Sequence, residues 1–179
     1  TNTNIRSVWN TAYEQIYYAN SIIHGADLSK VLSDEDKNQL KGEALLIRSL
    51  LYFYLQRLFG AIPYTTSIDY EYNRSLTKTE SAVLLEQLES DLNEAISLLN
   101  DNYRNAQRIY PNRKVAELVL ANVYLTEQKY QLVEQMASGI LQSSLYDFQP
   151  DLNEVFHNTG SHILWQLSPQ NSGDATKEA

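Results

Sequence analysis

The chain has 179 residues, of which 43% are hydrophobic, and this is enough apolar material for one globular domain with a sizeable core. Its formal net charge of −8 repels phosphate backbones, so the composition argues against nucleic-acid binding. The chain contains no cysteine, which excludes disulfides, thiolate metal sites and cysteine nucleophiles among these residues.

Ile5 to Ile23 is predicted to form the first helix, because apolar residues recur there at spacings of three and four. Asn20 interrupts this apolar face with a polar side chain. We interpret Asn20 as a buried residue that hydrogen-bonds a neighbouring backbone. Gly25 predicts the end of this helix.

The second predicted helix is the element around which the rest of the chain is organised. Ser33, followed by three acidic residues, indicates its N-cap and first turn. Apolar side chains between Leu45 and Phe59 point in almost every direction around the axis, so the helix is predicted to be buried on more than one side. Gly60 and Pro63 indicate where it ends.

Residues 61–75 are predicted to form a tyrosine-rich loop, which is longer than most connections in compact domains. Thr77 and Glu80 then form the pattern of a capping box and predict the start of the third helix. An apolar stripe from Leu84 to Leu99 indicates the buried face of this helix.

Charged residues on these helices are assigned to pairing or to solvation and not to catalysis. Glu43 and Arg48 are expected to pair with another helix or to lie at a boundary. Four acidic residues of the third helix are interpreted as its solvated face: Glu86, Glu89, Asp91 and Glu94.

Two further helices are predicted to form an αα-hairpin. Asn112 is a candidate N-cap for a helix from Arg113 to about Gln128, and the last helix runs from about Tyr130 to Ser143. This pair is similar to a tetratricopeptide unit on the positions of Ala116, Ala121, Tyr124 and Tyr130, although Gln128 stands where that repeat favours glycine.

The end of the chain changes in character. Asp151 to Phe156 is predicted to form a helical turn, and residues 162–167 form a β-prone run that indicates a short strand. We therefore predict an all-α domain over residues 1–167, a bundle or superhelix of antiparallel helix pairs with at most this one strand. Residues 168–179 are predicted to be a polar tail or a linker.

Catalytic and metal-binding motifs are missing from the sequence. His24, His157 and His162 lack the spacing of metal ligands, and there is no H-E-x-x-H, P-loop, G-x-G-x-x-G or G-x-S-x-G pattern. We predict a protein that is not an enzyme and has neither a metal nor a cofactor.

Several stretches, taken in order, resemble the N-terminal helical part of the SusD/RagB family. The likeness extends from Trp9 to Trp165, and its most specific parts surround Gly42 and Gly60. The stretches that carry it are Trp9-x3-Tyr13-x2-Ile16-x3-Asn20, Gly42-Glu43-Ala44-x3-Arg48, Tyr52-Phe53-x-Leu55, Phe59-Gly60-x2-Pro63, Asp91-Leu92-x2-Ala95 and Ala121-x2-Tyr124-Leu125.

The sequence also departs from the family pattern at individual positions. Members often have alanine where Ser49 stands, a Gly-Arg pair where Asn112 and Arg113 stand, and an acidic residue where His162 stands. These departures bear on single contacts more than on the fold.

The resemblance implies a surface-exposed, lipid-anchored outer-membrane protein of a Bacteroidetes cell. It implies capture of an oligosaccharide or other nutrient, without hydrolysis, and delivery to a partner TonB-dependent transporter of the SusC type through tetratricopeptide-like helices. The membrane would be reached only through a lipid anchor whose cysteine is not in this chain. The chain begins at Thr1 without an initiator methionine, so we expect a processed or truncated piece of a longer protein.

Sugar binding needs aromatic platforms flanked by amide, hydroxyl or charged groups. The tyrosine-rich loop supplies our candidates for ligand contact, which are Tyr64, Tyr70, Tyr72, Asn73 and Arg74. Packing of the loop against the domain is an alternative for each of them. Trp9, Tyr13, Tyr17, Tyr52 and Trp165 are predicted to belong to the core. The alternative function is a tetratricopeptide-like scaffold that binds a partner protein and no sugar.

Overall fold

The computed structural model describes residues 3–168, and this part of the chain is all-α, as predicted. It contains no strand between these residues; a single antiparallel bridge joins Ile62 to Thr79. None of its helices combines the length and hydropathy needed to cross a bilayer. The helices are α1 (Thr3–Leu28), α2 (Asp34–Phe59), α3 (Tyr70–Arg74), α4 (Ser81–Leu98), α5 (Arg113–Thr126) and α6 (Tyr130–Leu141).

The five long helices pack in a superhelix, each against the next along the chain. α2 contacts α1 on one side and α4 on another, α5 packs between α4 and α6, and α2 also touches α5. α3 is a short helix within the connection from α2 to α4, and it packs against none of the other helices described. The predicted superhelix of helix pairs is confirmed.

α2 is the central helix, and the prediction that it is buried on more than one side is confirmed. Tyr52 and Leu55 join a core cluster that also receives residues of α1, α4 and α5. Leu45 and Leu46 belong to a second cluster, shared with the ends of α4 and α5. The helix therefore connects both parts of the core.

α1 does not end at Gly25, so that prediction is wrong. The helix continues to Leu28, because Ala26 is buried and Asp27 forms an ion pair with Lys41 of α2 at 2.8 Å. Packing against α2 therefore overrides the helix-breaking tendency of glycine.

The predicted N-caps have mixed outcomes. Ser33 and Asn112 cap α2 and α5, since the side chain of each accepts the backbone N–H of the residue three positions later. The prediction of a capping box at Thr77 and Glu80 is wrong, because α4 begins at Ser81 and Glu80 makes no side-chain capping bond. The chain before Glu80 is instead held by Thr79, whose N–H donates to the carbonyl of Ile62 at 2.9 Å.

The αα-hairpin of α5 and α6 is confirmed. Gln128 turns the chain between the two helices with a φ of 61°, in the left-handed region that favours glycine. This explains why tetratricopeptide repeats prefer glycine at the corresponding position. The N–H of Lys129 then closes the turn by donating to the carbonyl of Tyr124.

Residues 162–167 do not form a strand, which corrects the prediction. One backbone hydrogen bond holds this run, from the N–H of Gln166 to the carbonyl of Arg108. Neighbouring carbonyls accept hydrogen bonds from side chains: the Arg108 guanidinium donates to Ser161 and Ile163, and the Tyr103 hydroxyl donates to Leu164. These carbonyls therefore have hydrogen-bond partners without a neighbouring strand.

Residues 152–156 form turns, close to the helical turn predicted there, and residues 169–179 of the predicted tail lie outside the described part.

We expect replacement of Ser49 with alanine to raise the free energy of unfolding by about 1 kcal/mol. Ser49 is 0% exposed, and its Oγ finds no hydrogen-bond partner among the described residues. The hydroxyl is therefore desolvated without compensation. Urea unfolding measures the change, and Ser97→Ala, which removes an exposed helical hydroxyl, is the matched control. A loss of stability in Ser49→Ala would contradict the expectation.

Candidate functional site

A buried ion pair lies beneath the connection between α2 and α4. Arg48 of α2 donates from Nε at 3.0 Å and from Nη2 at 2.8 Å to the same carboxylate oxygen of Asp91 on α4. Arg48 is 4% exposed and Asp91 is 9% exposed. The pairing predicted for Arg48 is confirmed, whereas the solvated position predicted for Asp91 is wrong.

Asn20 and Tyr64 are hydrogen-bonded to this ion pair, and we call Asn20, Arg48, Tyr64 and Asp91 the buried polar centre. Arg48 Nη1 donates to Asn20 Oδ1 at 2.8 Å, and the Tyr64 hydroxyl donates to Asp91 Oδ2 at 3.2 Å. Burial raises the pKa of Asp91, while the Arg48 guanidinium opposes that rise. Burial and the nearby Asp91 carboxylate raise the pKa of Tyr64, so its hydroxyl remains a donor.

Thr65 is the point at which the loop after α2 meets the core. Asn20 Nδ2 donates to the Thr65 carbonyl at 3.2 Å, which confirms Asn20 as a buried residue bonded to backbone. The Tyr52 hydroxyl accepts the N–H of Thr65 at 2.9 Å and donates to its carbonyl at 3.1 Å. Burial of Tyr52 raises its pKa to about 12, so this hydroxyl is neutral at physiological pH.

The loop predicted over residues 61–75 contains the short helix α3, which the prediction missed. Asp69 is its N-cap, and the Asp69 side chain accepts the N–H of Tyr72 at 2.7 Å. The signal was present in the sequence, because Asp69 directly precedes Tyr70 and aspartate is among the strongest N-cap residues.

The side chains of α3 divide into one that faces the core and several that face solvent. Asn73 is half-buried: its Oδ1 accepts from Thr65 Oγ1 at 2.7 Å and its Nδ2 donates to the Ser67 carbonyl at 2.9 Å. Tyr70 is 72% exposed, Tyr72 is 54% exposed, and Arg74 is exposed.

Helix geometry decides which exposed residues share a surface. At about 100° per residue, Tyr70 and Arg74 lie about 40° apart around the axis, so they share one face. Tyr72 lies about 160° from Tyr70 and faces a different direction. We call the pair of Tyr70 and Arg74 the platform.

The five candidate residues therefore do not form one binding site. Tyr64 packs in the core with its ring 4.9 Å from that of Tyr52, and Asn73 fixes the loop. Tyr70, Tyr72 and Arg74 remain available at the surface. Among the aromatic residues assigned to the core, the prediction is confirmed for Tyr52 and wrong for Tyr17, which is 46% exposed.

A groove of about 470 Å³ lies elsewhere on the described part of the chain, and no sequence pattern indicated it. Leu50 and Tyr54 of α2 form one wall. Residues of α5 form the floor, and residues 162–165 close the other side. The groove depends on where the C-terminal segment, residues 143–168, lies against the helices. That placement is set by long-range contacts that helix periodicity does not report.

Comparisons with known proteins find similarity in both sequence and structure. A SusD-like family model, described as starch-binding and associating with the outer membrane, matches residues 1–125. SusD-like protein P25 of Formosa agariphila is 28% identical over 167 residues, which cover 91% of this chain and 32% of that protein.

Solved structures share the helical arrangement. A SusD superfamily protein from Bacteroides thetaiotaomicron is 28% identical, with a TM-score of 0.71 over 79% of this chain and 33% of that one. A surface glycan-binding protein A from the same organism, in complex with laminarihexaose, is 19% identical and shows the same fold, with a TM-score of 0.74 over 86% of this chain and 32% of that one. The present chain thus spans about a third of the length of its relatives.

Proposed function

The chain belongs to the SusD-like family, and on that premise we propose that it is the helical part of a glycan-binding protein of the outer membrane. The observation that carries the proposal is the family match over residues 1–125, which includes the exposed platform of Tyr70 and Arg74. The likeness to a structure that holds laminarihexaose supports an oligosaccharide as the ligand class.

The platform has the chemistry that a sugar requires. The face of a pyranose ring carries C–H groups that stack on the ring of an aromatic residue such as Tyr70, and a neighbouring guanidinium such as that of Arg74 donates hydrogen bonds to hydroxyls. Neither side chain is needed in the core, because α3 contributes no buried residue. Tyr72 offers a second aromatic surface on another face of α3.

The finer parts of the proposal follow from family membership. The protein is anchored by a lipid at the cell surface, binds its glycan without cleaving it, and delivers it to a TonB-dependent transporter of the SusC type. Other nutrients remain alternatives to an oligosaccharide. The superhelix supplies the surface on which the transporter docks.

We expect replacement of Tyr70 with alanine to weaken glycan binding about tenfold, which corresponds to about 1.4 kcal/mol of lost stacking. The measurement is isothermal titration calorimetry of the full-length protein against a panel that includes starch, laminarin, and plant, host and microbial glycans. Tyr130→Ala removes a similarly exposed tyrosine from α6 and is the matched control.

Two outcomes would contradict the proposal at different levels. The failure of the full-length protein to bind any glycan in the panel would contradict glycan binding itself. Binding that is unchanged in Tyr70→Ala and in Arg74→Ala would move the site away from the platform. The family assignment does not depend on either result.

The alternative function is a tetratricopeptide-like scaffold without sugar binding. The observation that favours it is the apolar surface of α2 and α5, where Tyr54, Leu58, Leu118 and Leu125 are exposed. Such a scaffold would co-purify with a partner protein, and this association would be unaffected by Tyr70→Ala.

A further inference from the structure

We propose that Thr65 is a positioning residue for the platform, because its side chain binds α3 while its backbone is bonded to Asn20 and Tyr52, and it thereby fixes the orientation of Tyr70 and Arg74. This inference rests on the proposed function of α3 as a binding surface.

α3 is unable to hold its own conformation. Helices shorter than about 12 residues are marginal in water without tertiary contacts, and α3 has five residues. It contributes no buried residue and approaches no other helix in the described chain. The Asp69 cap stabilises the first turn locally, but Asp69 is itself exposed and does not attach the helix to the core.

The attachment to the core passes through Asn73. Within residues 3–168, α3 makes two hydrogen bonds to the loop that precedes its Asp69 cap, and both involve the Asn73 side chain. Its Nδ2 donates to the Ser67 carbonyl, and its Oδ1 accepts from Thr65 Oγ1. Thr65 Oγ1 also accepts the N–H of Ser67 at 2.9 Å. The same hydroxyl therefore holds in place the Ser67 backbone, to whose carbonyl Asn73 donates.

The backbone of Thr65 is held by hydrogen bonds to side chains of two helices. Its N–H and carbonyl are held by the Tyr52 hydroxyl of α2, and its carbonyl is also held by Asn20 of α1. Asn20 is in turn bonded to Arg48. Thr65 is 8% exposed, so these bonds are shielded from water, and an uninterrupted chain of hydrogen bonds runs from the ion pair to α3.

The consequence is a site whose affinity depends on a residue that does not touch the ligand. If the platform is correctly placed in only a tenth of the molecules, the apparent affinity falls about tenfold. Thr65→Val keeps the shape of the side chain and removes the hydroxyl, whereas Thr65→Ser keeps the hydroxyl.

The test compares these two variants in the full-length protein by hydrogen exchange and by titration with a glycan that the wild-type protein binds. We expect Thr65→Val to speed amide exchange in residues 70–76, to leave exchange in α2 and α4 unchanged, and to weaken binding about fivefold to tenfold. Thr65→Ser is expected to restore both properties. Asn73→Ala should reproduce the Thr65→Val effect, and the double variant should add little to either.

The outcomes separate this inference from the proposed function. If Tyr70→Ala weakens binding and Thr65→Val does not, the positioning role is overturned while the platform stands. If Tyr70→Ala has no effect, the platform fails, and exchange in α3 still shows whether Thr65 orders it. Unchanged exchange in α3, or faster exchange spread equally over α2, α3 and α4, overturns the positioning role.

Discussion

Replacing Arg48 with methionine is expected to lower the free energy of unfolding by about 3–5 kcal/mol. The substitution preserves much of the side-chain volume but leaves the Asp91 carboxylate buried without its partner. It also removes the donor that Asn20 Oδ1 uses. At roughly 2–4 °C per kcal/mol for a domain of this size, the melting temperature should fall by about 6–20 °C.

A double-mutant cycle identifies the cause of this loss. Asp91→Leu alone should be similarly harmful, because it strands the guanidinium in the core. The double variant Arg48→Met/Asp91→Leu should be more stable than either single variant, since it leaves no unpaired charge behind. Urea unfolding of the four proteins measures the coupling. Single variants that lose less than about 1 kcal/mol would show that water reaches the pair, contrary to its burial.

The sequence contained a signal for Asp91 that the prediction did not use. Asp91 follows Leu88 by three positions and precedes Ala95 by four, so it lies on the apolar stripe of α4 and not on its wet face. A charge within such a stripe requires a buried partner, and Arg48 was the only cation of the central helix between Lys41 and Arg57. Helix periodicity was thus sufficient to predict that Asp91 is buried and needs a cationic partner, but it does not identify that partner.

The division within the tyrosine-rich loop could not be predicted in the same way. Tyr64 and Tyr70 are the same residue type in one short connection, yet one is in the core and the other is 72% exposed. What separates them is the attachment of Thr65 to Tyr52 and Asn20, residues 13 and 45 positions away. Contacts over such separations leave no periodic trace in the sequence, whereas the five long helices, which are periodic, were predicted nearly to their ends.

Replacing Arg108 with alanine is expected to release the C-terminal segment from the helices, at a cost of about 3 kcal/mol. The guanidinium binds three carbonyls of that segment, those of Leu145, Ser161 and Ile163. It also lies 4.8 Å from the ring centroid of Tyr103 and 5.4 Å from that of Tyr146. One side chain therefore joins both ends of the segment between Leu145 and Ile163, and its loss should loosen the wall of the groove that residues 162–165 form.

Tryptophan fluorescence reports this release directly. Trp165 is partly buried and donates from Nε1 to the carbonyl of Ile109 at 3.0 Å, so its emission should shift to the red when the segment detaches. A Trp9→Phe background isolates the signal of Trp165. Limited proteolysis should find new cleavage between residues 143 and 168.

Two further variants test the effect of backbone strain at Arg108 and the specificity of its side-chain contacts. Arg108 has a φ of 53°, so Arg108→Gly should be about 1 kcal/mol less harmful than Arg108→Ala while releasing the same segment. Arg104→Ala is the matched control, because Arg104 lies in the same connection but binds Glu43 of α2. If Arg104→Ala exposes Trp165 as much as Arg108→Ala does, the segment is held by the whole connection and not by the Arg108 guanidinium.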